Sequence, residues 1–203
     1  MEAELAVNHG AHPSLWVRAF KELEKDGVSG GDVYLAEVKS KISTARSTAE
    51  PRIVLTGTAV DMEHLAVVTQ RFDPFVVTAL VTAGAGSNAH RAGTDVGRHI
   101  ETAGTVNIIV TINARLNDAA MLNAVMMATE AKTAAFQDLQ IPSTYTPTAQ
   151  ATGTGTDTVI VIPSGQGPVV TYAGAHAKVG ELIAKATHEA VKSALDAKAE
   201  APE

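Results

Sequence analysis

The chain predicts an α/β protein, a mixed and partly parallel sheet covered by helices with a helical segment at its N-terminus. Three observations carry this expectation. From residue 52 onward, short β-branched runs alternate with long helical stripes. The run Thr105–Ile112 (TVNIIVTI) is almost continuously apolar, as a strand buried on both faces should be. Finally, 57 of the 203 residues are Ala or Thr and only eight are aromatic. Small side chains let backbones approach closely, which suits helix-on-sheet packing better than a sandwich built on aromatic anchors.

The elements follow in order. Residues 14–27 read as a short helix capped by Ser14, with Trp16, Phe20 and Leu23 on one stripe and Gly27 as its stop. A second helix starts at Asp32 and carries Leu35, Val38 and Ile42 on one face. The segment Ser43–Pro51 has no period and marks the expected boundary. This divides the chain into an N-terminal helical segment (1–50), an α/β domain (51–198) and a frayed tail (199–203). Within the domain, Arg52–Thr56, Phe75–Thr82, Thr105–Ile112 and Thr158–Pro163 are expected strands. A helix over Asp118–Leu139 should be capped by Asn117 or Asp118 and face inward with Leu122, Val125, Thr129 and Phe136. The last helix, Ala177–Lys198, should bury Val179, Leu182, Ile183, Ala186 and Val191 and carry a Glu181–Lys185 pair outside.

Composition narrows the function classes. Sixteen Lys and Arg against 22 Asp and Glu give a formal charge of −6, which argues against nucleic acid or an anionic membrane as a partner. With no cysteine there is no disulfide, thiolate catalysis or Cys-ligated metal. No leader or membrane-spanning run is evident, so a cytoplasmic protein is expected, and its Ala-rich helices make a homodimer possible.

Chemistry concentrates in a few polar loops. Ala83–Asp95 (AGAGSNAHRAGTD) follows a strand and offers Ser87, Asn88 and Arg91 among glycines, the setting of a backbone anion cradle or a plain surface turn. It lacks the residues of a Walker or dinucleotide fingerprint. Asn107 lies inside an apolar strand, where its amide needs a partner or a ligand. Asn113 and Arg115 stand at that strand's exit, where open α/β sheets place ligands. On the long helix, Glu130 and Lys132 read as solvated polars, or Glu130 as a desolvated base. Thr152, Thr154, Thr156 and Asp157 alternate with glycines in ATGTGTD, and His176 and Lys178 open the last helix. A Thr nucleophile needs an adjacent base, which the motif alone does not identify. His9 and His12 have H-x-x-H spacing without a third ligand, a weak zinc signal.

Five ordered blocks resemble the adenosylcobinamide amidohydrolase family: TGTAVDM (56–62), VTAGAGSNAHRAGTD (81–95), GTVNIIVTINARLNDAAMLNAVMMATEAKTAA (104–135), ATGTGTDTVIV (151–161) and YAGAHAKVGELI (172–183). The resemblance spans Thr56 to Val191, and residues 1–50 depart from it. It implies hydrolysis of the amide joining aminopropanol to the corrin ring of adenosylcobinamide, in corrinoid salvage. It also implies a corrinoid small molecule as partner, with no cofactor required because cobalt arrives with the substrate. Glu130 or Asp157 is the expected base, the Gly84–Asn88 backbone with the Asn88 side chain the expected oxyanion hole, and His176 or Lys178 the expected acid. Ser87, Arg91, Asn107, Asn113, Lys132, Thr152, Thr154 and Thr156 are the expected substrate contacts. A non-catalytic corrinoid-binding protein on the same scaffold is the alternative.

Overall fold

The computed structural model describes residues 5–10, 30–46, 52–97 and 103–199. The chain divides into two compact units, residues 1–59 and 60–203. In the first, strand β1 (Leu5–Gly10) pairs in parallel with β2 (Ile53–Thr58), and helix α1 (Gly30–Arg46) connects them. Parallel neighbours need such a crossover. Tyr34 and Val38 of α1 are buried with Val7, Ile42, Ile53 and Leu55 around them. Because β2 pairs with β1, it belongs to this unit, and the division falls after Ala59 rather than within Ser43–Pro51. The short helix expected over 14–27 lies outside the described residues, as does His12. β1, which the sequence reading left unassigned, holds His9 against the Tyr34 hydroxyl at 2.7 Å.

The second unit is built on a four-stranded sheet in the order β3 (Ala66–Phe72), β4 (Phe75–Ala83), β6 (Val106–Ile112), β9 (Thr158–Pro163), with the two-residue strand β5 (Ala89–His90) outside it. The first two pairings are antiparallel and β6–β9 is parallel, so the sheet is mixed as expected. Further two-residue strands are β7 (Arg115–Leu116), β8 (Gly153–Thr154) and β10 (Val169–Val170). Helices α2 (Asp118–Asp138) and α3 (Lys178–Ala199) pack on each other and on one face of the sheet. Val77, Ala79 and Val81 of β4 and Ile108 and Val110 of β6 enter one core with them. β6 is buried on both faces along most of its length, which accounts for its unbroken apolar run.

Alanine decides how the helices sit. Ala120, Ala124, Ala128 and Ala135 of α2 and Ala186, Ala190 and Ala194 of α3 are fully enclosed. Asn117 caps α2, its side chain accepting the Ala120 N–H at 2.9 Å. Of the stripe expected to face the core, Phe136 is buried, but Leu122, Val125 and Thr129 are not. Leu122 is 67% exposed and Val125 37%, while the buried stripe runs Ala120, Ala124, Ala128, Lys132, Phe136 at i,i+4 spacing. Alanines take the inner face over the first three turns, and Lys132 and Phe136 take it further along. On α3 the expected inner face is correct, and Glu181 pairs outside with Lys185 at 2.7 Å.

A candidate polar site at the amino ends of β6 and β9

β6 and β9 run parallel, so both begin at the same edge of the sheet, and β4 ends there. Three loops meet at this edge: residues 84–95 after β4, residues 103–105 before β6, and residues 151–157 before β9. The Gly84 N–H donates to the Thr105 carbonyl at 3.0 Å, and the β5–β8 ladder sets Ala89 opposite Thr154. Gly104 stands at φ +134 where a Cβ would lie 3.0 Å from both the Asn88 Cβ and the Gly84 carbonyl, so glycine is needed for the approach.

At the centre is an ion pair between Lys132 and Asp157, whose side chains are 10% and 12% exposed. Lys132 belongs to the buried alanine stripe of α2, which carries its stem through apolar surroundings to the loop. Asp157 Oδ1 accepts the Val106 N–H at 2.9 Å and the Thr154 hydroxyl. Its Oδ2 accepts the Thr154 N–H at 2.9 Å and Lys132 Nζ. One carboxylate thus ties the start of β6, the Thr-Gly loop and α2. Thr133 adds a second tie by donating to the Thr152 carbonyl at 3.0 Å. Lys132 has no other partner among the described residues, so two of its three N–H donors remain available.

The surrounding polar groups are largely engaged with one another. Asn107 is 1% exposed and accepts from Thr158 Oγ1 at 2.7 Å, which answers the cost of its burial. Asn88 Nδ2 donates to the Gly104 carbonyl at 3.0 Å, and its Oδ1 accepts the Tyr145 hydroxyl at 2.8 Å. The Gly84 N–H and the Asn88 amide, expected to face an oxyanion, are therefore both engaged inside the protein. Ser87 donates to the Ala103 carbonyl, Thr156 to Gly104 at 2.9 Å and Thr152 to His90 at 3.3 Å. Arg91 Nη1 donates to the Gln150 carbonyl at 3.3 Å.

Ser143 and Tyr145 lie in a stretch that reads from the sequence as a plain turn, with no signal of a site. Ser143 Oγ donates to Asp95 Oδ2 at 2.6 Å and accepts the Tyr145 and Thr146 N–H groups at 3.0 and 3.1 Å. Asp95 Oδ2 also accepts the Arg91 N–H at 2.6 Å. Burial alone would raise the Asp95 carboxyl, but hydrogen bonds from Ser143, Thr146 and the Arg91 N–H outweigh it and hold its pKa at about 2. A carboxylate depressed in this way stabilises the fold above its ordinary value of 3.8, and that contribution is lost as pH falls toward about 2. Ser143→Ala is expected to raise the Asp95 pKa and move acid unfolding, followed by circular dichroism, to higher pH. An unmoved acid midpoint would show that Ser143 does not hold this carboxylate.

The remaining candidates lie elsewhere. Asn113 sits at the opposite end of the sheet, where its Oδ1 accepts the Val76 N–H at 2.6 Å and its Nδ2 donates to the Pro74 carbonyl at 2.9 Å. It ties β6 to the β3–β4 hairpin. Lys178 is at that same end, ion-paired with Glu181 and 4.6 Å from the centroid of the Phe72 ring. His176 is exposed in the turn that leads into α3. The nine residues of β4 separate this end from Asp157, about 30 Å at the usual strand rise. One chain therefore does not bring His176 or Lys178 to the Lys132–Asp157 pair. Glu130 is exposed on α2, two residues from Lys132 and on a different side of the helix.

These features define an α/β protein whose glycine-spaced loops converge on a buried lysine–carboxylate pair. The sequence model of the adenosylcobinamide amidohydrolase family matches residues 3–203, and the chain belongs to that family. The match begins at residue 3 and so takes in nearly all of the first unit. An uncharacterized protein of Methanocaldococcus jannaschii is 39% identical over 96% of this chain and 77% of its own length. The adenosylcobinamide amidohydrolases of Methanosarcina mazei and Halobacterium salinarum are 33% and 32% identical over 70% and 72% of this chain. The matched regions span 66% and 59% of those two relatives. No described helix is long and apolar enough to cross a membrane.

Proposed function

We propose that this chain hydrolyses the amide linking aminopropanol to the corrin ring of adenosylcobinamide, giving adenosylcobyric acid and 1-aminopropan-2-ol in cytoplasmic cobinamide salvage for cobalamin biosynthesis. Family membership and the names of two relatives support the substrate class. The observation that carries the reaction is the Lys132–Asp157 pair with its bound threonine hydroxyl. Amide cleavage develops negative charge on the carbonyl oxygen and needs a proton for the departing amine. The available N–H donors of Lys132 answer the first need, and Asp157 answers the second by passing on a proton it takes from the attacking hydroxyl. On this reading Asp157, rather than the exposed Glu130, is the acid–base group, and no resident metal is required.

A corrin also needs an apolar surface to lie on. Leu122 and Met126, 67% and 56% exposed, stand at i,i+4 on α2, and the same side of the helix leads on to Thr129 and Thr133 beside the Thr152 loop. We assign this strip as the floor for the ring. Met126→Asp is then expected to raise KM about tenfold, the equivalent of losing part of one buried side chain, with little change in kcat. An unchanged KM would remove the strip from the site.

The test of the reaction is incubation of pure protein with adenosylcobinamide, with and without EDTA, while aminopropanol release and corrinoid spectra are followed. Release insensitive to EDTA is the expected result. Chelator-sensitive release would place a metal in the reaction. Binding without release would favour a corrinoid carrier, and neither binding nor release would overturn the proposal.

A further inference from the structure

Several hydroxyls line the polar loops, and the structure separates them by what they donate to. Ser87, Thr152 and Thr156 donate to main-chain carbonyls, which take no proton in catalysis. Ser143, Thr146 and Thr154 donate to carboxylates instead, the first two to Asp95, which no lysine holds among the described residues. Ser143 is 1% exposed, and its oxygen already accepts two backbone N–H groups, so its lone pairs are occupied. Thr154 Oγ1 accepts no hydrogen bond among the described residues, and its one contact is the proton it gives to Asp157. The main chain of Thr154 is fixed on both sides, by its N–H on Asp157 Oδ2 and by its pairing with Ala89. Asp157 is in turn oriented by Lys132 and the Val106 N–H. A hydroxyl on a carboxylate that a third group holds in place is the arrangement of an activated nucleophile.

We propose that Thr154 is the nucleophile of the amide cleavage, so that the reaction passes through an ester on its side chain. This rests on the hydrolytic reading of the site given above. Thr154 Oγ attacks the amide carbonyl carbon while its proton passes to Asp157 Oδ1, and the carbonyl oxygen, now negative, is held by Lys132. The C–N bond breaks as Asp157 returns the proton to the amine nitrogen, and aminopropanol leaves. Water then attacks the ester and gives a proton to Asp157. The C–O bond breaks, Thr154 Oγ takes the proton back, and the carboxylic acid departs.

The test adds hydroxylamine to wild-type protein turning over adenosylcobinamide, and in parallel quenches turnover with acid for intact-protein and peptide mass spectrometry. The expected result is a hydroxamate of the corrinoid acid, or an acyl adduct on the peptide containing Thr154. Thr154→Ser should retain both signals, while Thr154→Val should lose about 10³-fold in turnover and both signals with it. Aminopropanol release with neither hydroxamate nor adduct would overturn the nucleophile alone, as would Thr154→Val turning over within threefold of wild type. No release by wild-type protein would overturn the functional reading, and the nucleophile would fall with it.

Discussion

Replacing Lys132 by Met is expected to destabilise the protein by about 3 kcal/mol, read as a shift in the urea midpoint at constant m-value. Breaking a buried pair from one side costs about 3–5 kcal/mol because it leaves the other charge uncompensated. The lower end applies here, since Asp157 keeps the Val106 and Thr154 N–H groups and the Thr154 hydroxyl. Asp157→Asn removes the partner of the lysine instead and places an NH2 among those same donors, so it should cost more. The double variant should cost clearly less than the sum of the two, because the groups touch and share one interaction. A Lys132→Met variant within about 0.5 kcal/mol of wild type would mean that the pair behaves as a solvated surface pair.

Gly153→Ala has the second large effect. A Cβ at Gly153 would lie 2.2 Å from Asp157 Oδ2 and 2.3 Å from Lys132 Nζ. Neither atom is the loose end of a flexible side chain, because each holds the other. The methyl group must therefore part the pair or push the loop from its ladder with β5. Overpacking of this kind costs about 1–3 kcal/mol, and the upper end corresponds to a fall in Tm of roughly 6–12 °C for a chain of this size. Gly86→Ala is the control, since nothing lies within 4 Å of its added Cβ. It should leave Tm within about 1 °C. Equal behaviour of the two variants would show that Gly153 is not a cradle for the pair.

Much of the architecture was legible from the chain. The strands at Phe75–Ala83, Val106–Ile112 and Thr158–Pro163 and both long helices lie within a residue or two of where periodicity and caps place them. β3 was not, because its residues AVVTQRF alternate weakly: Ala66 and Val68 reach the core while Val67 is exposed on the other side. α2 was found, but of its inward face only Phe136 was. Hydrophobic periodicity favours the large side chains, and here the core takes the alanines and leaves Leu122 and Met126 outside. The same feature hid the burial of Lys132, which sits at i+4 from Ala128 and i−4 from Phe136 on the buried stripe. A charged residue in register with an alanine stripe was the available signal.

The candidate residues themselves were mostly legible, and their grouping was not. Ser87, Asn88, Arg91, Asn107, Lys132, the three threonines and Asp157 come together at one edge because β6 and β9 are parallel and start side by side. That topology places the cluster at the amino ends of the strands, opposite the exits where Asn113 was expected to serve a ligand. Spacing along the chain carries no record of which end of a sheet a loop occupies, so His176 and Lys178 could be joined to Asp157 on paper and not in the fold.

The most direct test compares aminopropanol release from adenosylcobinamide by folded Lys132→Met with release by a His176→Ala/Lys178→Ala variant. Chemistry at the amino ends of β6 and β9 predicts that kcat/KM falls by about 10²–10³-fold in the first, as for removal of an oxyanion donor, and stays within about threefold of wild type in the second. Loss of release in the His176→Ala/Lys178→Ala variant, with turnover retained in Lys132→Met, would place the reaction at the other end of the sheet and contradict the account.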